Sequence, residues 1–284
     1  MPYVEHGSIR LFYTSHGALP DAPCIVLLHG WACDAHDWSH QITLLTGLGF
    51  RVVALDLRGH GRSSAPASIS DYSMKAFAED VFVLLHNLQI GPAIIMAHSM
   101  STIIASILAV EHQDIVEALI LVHPIYCGTP PTLATMSERM CREPDFEPYL
   151  VAEFFERHMY TAQTPGWLKT WHTRRILGTD GVALAGCGQA IVDLFESVVG
   201  QTDTAKAFMR KRAAPRFVIT TNTLPAAAAW EAELGLEGLD ECHTMNEGTF
   251  SHFVDSERFN DMLKAWLVRG RFTADRRANG DRAF

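Results

Sequence analysis

Ser99 lies in the stretch Ala93–Ser106, AIIMAHSMSTIIAS. The apolar run Ala93–Met96 reads as a buried strand, and the apolar run after Ser101 is long enough for a buried helix. A serine at a strand-to-helix turn, with small residues two positions before and two after, is the pattern of a nucleophile elbow. The small residues, here Ala97 and Ser101, have a steric reason: the turn is tight, and a large side chain at either place would collide with neighbouring backbone. A serine in apolar surroundings is also an ordinary helix N-cap. The catalytic reading therefore depends on partners: a base to take the hydroxyl proton, and two backbone N–H groups aimed at one developing oxyanion. Met100 follows the serine, and its N–H heads the helix.

The bulk composition bounds what such a site could serve. The chain has 284 residues, 48% hydrophobic and 19% charged, enough for one large α/β domain with an inserted segment. A formal charge of −9 argues against a nucleic-acid or anionic-membrane surface. The six cysteines include no C-x-x-C pair, so a zinc ribbon is not expected. The N-terminal residues show no apolar signal region, and no apolar run approaches membrane-spanning length. A reducing, cytoplasmic setting is the expectation.

The elements that would position Ser99 follow in order. Ile9–Ser15 alternates as an early strand; Cys24–Leu28, Arg51–Leu55 and Ala118–Val122 are short continuous apolar runs. Tyr72–Leu88 has helical spacing at Met74, Phe77, Val81, Leu84, Leu85 and Leu88, with Ser73 as N-cap. Continuous apolar strands alternating with helices predict a mostly parallel, doubly wound sheet covered on both faces. After Val122 the pattern breaks. Residues 127–212 show no clear strand and read as a helical lid over the carboxyl ends of the strands, where open α/β sheets place ligands. Strands resume at Arg216–Thr221 and near Glu241–Met245, and a helix over Ser256–Val268 closes the fold. The expected division is a core of residues 1–126 and 213–270, the lid 127–212, and a solvated tail 271–284.

His29-Gly30-Trp31, the loop Asp56 to Ser63 with Arg58-Gly59-His60-Gly61, His98-Ser99-Met100, and Gly248 to His252-Phe253 occur in an order that resembles the α/β-hydrolase fold superfamily. The resemblance implies an α/β-hydrolase fold, His252 as the catalytic base, and the Trp31 amide as the second oxyanion donor beside Met100. Trp31 would also line the pocket. The lid aromatics Phe154, Trp167 and Trp171 are candidate substrate contacts.

The third member of a serine–histidine–acid set departs from the pattern. The strand ending at Thr221 is followed by Asn222-Thr223-Leu224-Pro225, without an acid. Zearalenone-type lactonases and cofactor-free quinolone dioxygenases are similar in lacking the usual acid there. The alternative acid position, after the strand ending at Val122, holds His123. His123 and Asn222 are thus the candidate orienters of His252, as Asn is in Cys–His–Asn sites. A carboxylate from Glu231, Asp193 or Glu196 could instead reach in, or Ser99 and His252 could work as a dyad.

His36 and His40, at helical i, i+4 spacing with Asp34 and Asp37 nearby, have no third metal ligand at an interpretable distance and read as a polar helix face; no metal is expected. The Gly59–Gly61 loop is too short for a dinucleotide fingerprint, and no cofactor is expected. The leading expectation is a cofactor-independent serine hydrolase-like enzyme, an esterase or lactonase. It would act on an ester, lactone or other carbonyl of a medium-sized apolar or aromatic, polyketide-like metabolite of secondary metabolism. The alternatives are a non-hydrolytic enzyme of the same fold (a dioxygenase, lyase or cyclase with His252 as base on the substrate) and a ligand-binding receptor or degenerate hydrolase. Ser101 is similar to the serine that strigolactone-type receptors carry two after the nucleophile. The partner would be a small molecule, with no nucleic acid and no membrane; the oligomeric state is left open.

Overall fold

In the computed structural model the described residues are 2–17, 22–126, 131–142 and 148–273. The strands are β1 (Tyr3–His6), β2 (Ile9–Gly17), β3 (Cys24–Leu28), β4 (Arg51–Leu55), β5 (Ala93–His98), β6 (Val116–Val122), β7 (Arg216–Thr221) and β8 (Glu241–Met245). They form an 8-stranded sheet in the order β1-β2-β4-β3-β5-β6-β7-β8. The pairs β1–β2 and β2–β4 are antiparallel, and the remaining pairs are parallel.

The helices of the core are α1 (Ser39–Gly47), α2 (Met74–Asn87) and α3 (Ser101–Glu111). Between β6 and β7 come α4 (Pro131–Arg142), α5 (Tyr149–His158), α6 (Gly166–Gly178), α7 (Gly181–Asp193) and α8 (Asp203–Met209), and after β7 come α9 (Ala226–Leu234), α10 (Ser251–Val254) and α11 (Ser256–Arg269). Among the described residues the stretch between β6 and β7 holds helices and no strand, as the loss of strand pattern predicts. The expected start of that lid, residue 127, lies outside the described residues.

Alternation along the strands separates two cores. Val26, Leu28, Ile95, Ala97, Leu119 and Leu121 face α2, α3 and the lid. Ile25, Leu27, Ile94, Met96, Ile120 and Val122 face Trp38, Phe259, Leu263 and Trp266. Strands buried on both faces read as unbroken apolar runs for this reason. Ser73 accepts from the Ala76 N–H at 3.2 Å and caps α2 as expected. The chain stays packed beyond the expected end of the core: Phe272 is buried with its ring 5.1 Å from that of Trp266. Residues 274–284 of the expected tail lie outside the described residues. No helix among the described residues is long and apolar enough to cross a membrane.

The loop after β4 is fixed by two buried polar knots. Arg58 pairs with Asp80 of α2 through Nε and Nη2, both at 2.6 Å, and donates to the Asp71 carbonyl at 2.6 Å. Asp56 accepts from the Ala35 and Arg62 amides, each at 3.0 Å. Gly61 lies on that carboxylate at φ +54, where a Cβ would sit 2.2 Å from Asp56 Oδ2. Gly61→Ala is expected to destabilise the fold by ~2–4 kcal/mol and to lower the melting temperature by several degrees. Thermal melting of the purified variant checks it, and an unchanged midpoint would contradict the role given to this contact.

Candidate active site

Ser99 sits where β5 runs into α3, with φ +52, a left-handed conformation that an L-residue adopts at a cost of roughly 1–2 kcal/mol. Hydrogen bonds hold it there. The Ser99 amide donates to the Val122 carbonyl at 2.9 Å. The Ser99 carbonyl accepts from the Thr102 amide at 2.9 Å and the Thr102 hydroxyl at 2.7 Å. Ala97 and Ser101 are fully buried around it, and Ser101 Oγ donates to the His29 carbonyl at 2.5 Å. The small residue two after the serine therefore clamps the neighbouring loop as well as sparing space.

That neighbouring loop follows β3. His29 Nδ1–H donates to the Gly30 carbonyl at 2.7 Å while its Nε2 accepts from the Leu57 amide at 3.0 Å. His60 Nε2 accepts from the Ala32 amide at 3.1 Å. Gly30 permits the close approach: a methyl group there would lie 2.8 Å from His98 Nδ1 and 3.3 Å from Ser99 Cβ. The Trp31 and Met100 amides have no hydrogen-bond acceptor among the described residues, so both remain available to an oxyanion.

Ser99 opens into a narrow, largely apolar cavity of about 70 Å³. Trp31 and Phe154 line it, with rings 6.0 Å apart, and so do Phe155, Leu224 and Phe250. Trp31 Nε1 donates to the Leu184 carbonyl of α7 at 3.2 Å, which ties the loop after β3 to the lid. Trp167 and Trp171 are not in this wall. They border a separate surface depression with Arg174 and Arg175, and Trp167 is 56% exposed. Their aromatic composition made them candidate contacts, but composition does not tell which side of α6 faces the cavity.

His252 is fully buried next to the cavity rather than in its lining. Its ring lies 4.6 Å from that of His98 and 4.7 Å from that of Trp38. Among the described residues neither ring nitrogen has a hydrogen-bond partner, Ser99 included. The two expected orienters do not hold it. His123 Nδ1 is 2.6 Å from Thr221 Oγ1, and Asn222 Oδ1 accepts from the Gly248 amide at 3.1 Å. Two of the carboxylates from elsewhere are also committed, and the third, Glu196, is exposed. Glu231 pairs with Arg212 and Arg216 at 3.4 and 2.9 Å, and Asp193 accepts from Gln189 at 2.6 Å. Glu196 has a Thr202 hydroxyl donating to its backbone carbonyl, on the outside of the lid. His98, the last residue of β5, entered the sequence reading only as part of the His98-Ser99-Met100 motif, with no role of its own. It lines the cavity and donates from Nε2 to the Thr249 carbonyl at 2.9 Å.

Asp34 and Asp37 hold the lid. Arg175 of α6 reaches them at 2.7 and 2.5 Å. Burial would raise the Asp37 carboxyl, but the Arg175 guanidinium overrides it and holds the group below its ordinary range.

Around the site the imidazoles are neutral. Burial pushes His29 and His98 from 6.5 down to about 4, and His60 and His123 down to about 3. His252 is lowered in the same direction, first by burial and then by His98. Below pH 6.5 the unfolded chain takes up protons on these rings while the folded chain does not until about 4 or lower. Their contribution to stability is thus present above 6.5 and lost on acidification towards 4. Melting temperatures measured at intervals from pH 7.5 to 4.5 are expected to fall steadily below about pH 6.5. A midpoint that holds or rises over that window would contradict the burial of these neutral rings.

A family model described as the alpha/beta hydrolase fold matches residues 23–162. Bifunctional epoxide hydrolase 2 of Rattus norvegicus is 33% identical over 122 residues, 41% of this chain and 22% of that protein. A non-heme chloroperoxidase of Burkholderia pyrrocinia is 39% identical over 101 residues, 35% of each chain. The chain thus spans a fifth to about a third of the length of these curated relatives. Among solved structures, an enol-lactonase from Burkholderia xenovorans LB400 superposes with a TM-score of 0.80 at 22% identity, covering 94% of this chain and 100% of that one. Est816, an N-acyl homoserine lactone degrading enzyme, superposes with a TM-score of 0.74 at 21% identity, covering 93% and 99%. With its sheet order and the serine turn after β5, this chain is an α/β-hydrolase-fold protein.

Proposed function

We propose that this protein is a cofactor-independent hydrolase that cleaves an ester or lactone of a medium-sized apolar or aromatic molecule by way of Ser99. The observation that carries the reading is the left-handed Ser99 at the floor of an apolar cavity, beside two amides with no other acceptor. Ser99 Oγ attacks the carbonyl carbon, and the Trp31 and Met100 N–H groups receive the oxyanion of the tetrahedral intermediate. Collapse expels the alcohol and leaves an acyl group on Ser99, which water then removes.

His252 takes the serine proton and returns it to the leaving oxygen. Both of its nitrogens are uncommitted, and burial keeps the ring neutral and so able to accept. It makes no hydrogen bond to Ser99 here; such bonds are often long in an unliganded site and tighten with substrate. With no carboxylate on the ring, the imidazolium is less stabilised than in a serine–histidine–aspartate set. The enol-lactonase and the homoserine-lactone-degrading enzyme supply fold-level support for an ester or lactone substrate. The described cysteines are free thiols, which supports the cytoplasmic setting.

Turnover of p-nitrophenyl acetate tests the reading. Ser99→Ala is expected to lower kcat/KM by about 10³-fold or more. His252→Gln is expected to lower it by about 10²-fold or more, the contribution of a general base. A loss below tenfold would leave His252 as a packing residue. The acid limb of kcat/KM should fall below pH 6.5, because the base form persists until the depressed folded value is reached. An inflexion at about 7 or above would contradict the proposal.

A further inference from the structure

His98 and Gly30 meet beside Ser99, and the His98 ring is pinned from its far end. Its Nε2 lies 2.9 Å from the Thr249 carbonyl oxygen. A main-chain carbonyl can only accept, so Nε2 carries the proton of the neutral imidazole and Nδ1 carries the lone pair. The same contact excludes the flipped ring, which would set a carbon against that oxygen. Burial, partly offset by the Thr249 bond, pushes the group down to about 4, so Nδ1 has no proton at neutral pH.

Nδ1 is buried and has no hydrogen-bond partner among the described residues. It is aimed at the notch that glycine leaves at position 30. The point where a Gly30 Cβ would stand is 2.8 Å from Nδ1 and 3.3 Å from Ser99 Cβ. His98, Gly30 and Ser99 line the same cavity, and His252 is not in that lining. A buried acceptor left without a donor costs about 1–3 kcal/mol. The donor small enough to meet it beside a glycine is water.

We propose that His98 Nδ1 binds the water that releases the acyl group from Ser99, and takes its proton. His98 is then the catalytic residue of deacylation, while His252 serves acylation. This rests on hydrolysis by way of Ser99. The water oxygen bonds to the acyl carbon, its proton passes to Nδ1, and the carbonyl π pair moves onto the carbonyl oxygen. Collapse re-forms the carbonyl and breaks the carbon–Oγ bond, and Nδ1 returns the proton to Ser99 Oγ. Between those steps His98 is an imidazolium whose Nε2–H stays on the Thr249 carbonyl. That carbonyl fixes the ring as the aspartate does in a serine–histidine–aspartate set.

His98→Gln tests this with p-nitrophenyl acetate, because glutamine keeps a donor for the Thr249 carbonyl and has no basic nitrogen. The variant is expected to give a burst of about one equivalent of p-nitrophenol, the mark of an accumulating acyl-enzyme. Its steady state should then be lower by about 10²-fold, the contribution of a general base. Intact mass should show the acetyl group held on Ser99, and hydroxylamine, which attacks without a base, should release it. An unchanged steady state, or a loss of burst and steady state together without acetyl-enzyme, overturns the proposal. If the variant does not fold, a crystal structure of the unmodified protein decides: an ordered water within hydrogen-bond distance of His98 Nδ1 is expected, and a nitrogen without one overturns it. An inactive Ser99→Ala beside a normally deacylating His98→Gln would keep the hydrolytic reading and remove only this assignment. Turnover retained in Ser99→Ala would remove both.

Discussion

The rest of the site depends on one backbone constraint: the left-handed turn at Ser99, pressed against Gly30. The turn is affordable because three hydrogen bonds to the Ser99 backbone fix it and because Ala97 and Ser101 leave room. Gly30 is needed because any side chain there would strike His98 and Ser99. Together the two bring the loop that carries Trp31 against the serine turn that carries Met100. Strain of this kind is stored where neighbouring structure over-determines it, which describes a buried strand end between two clamped loops.

The lid is joined to that turn by polar contacts as well as apolar ones. Arg175 spans from α6 to Asp34 and Asp37, and the Trp31 indole donates to the backbone of α7. Both anchors start from the loop after β3, the loop that carries the Trp31 amide. The lid and the loop beside Ser99 are thus held by the same few residues. A buried ion pair is costly to break because it strands a charge without a partner, so removing Arg175 alone would leave Asp37 buried and unpaired.

Much of this was legible in the chain. Unbroken apolar runs such as Cys24–Leu28 and Arg216–Thr221 have no other stable use than strands covered on both faces, and each is a strand. The small-Ser-small spacing located the turn, since sterics at Ala97 and Ser101 admit few alternatives. What escaped was set by direction in space. Trp167 and Trp171 have the composition of a pocket wall yet lie on the outer side of α6. His123 and Asn222 stand at the ends of the right strands, but the first turns to Thr221 and the second to Gly248. Glu231 is an acid near the right strand whose charge is consumed by Arg212 and Arg216. Hydroxyl chains such as Thr221–Thr223–Thr249 have no period at all, because their members come from separate loops brought together by the fold.

The most direct test of the central claim is the intact mass of the protein after brief exposure to a fluorophosphonate, followed by peptide mapping. The account predicts one stoichiometric adduct, placed on Ser99, formed in the unmodified protein and absent from Ser99→Ala. No adduct in folded protein, or an adduct on a residue other than Ser99, would contradict it.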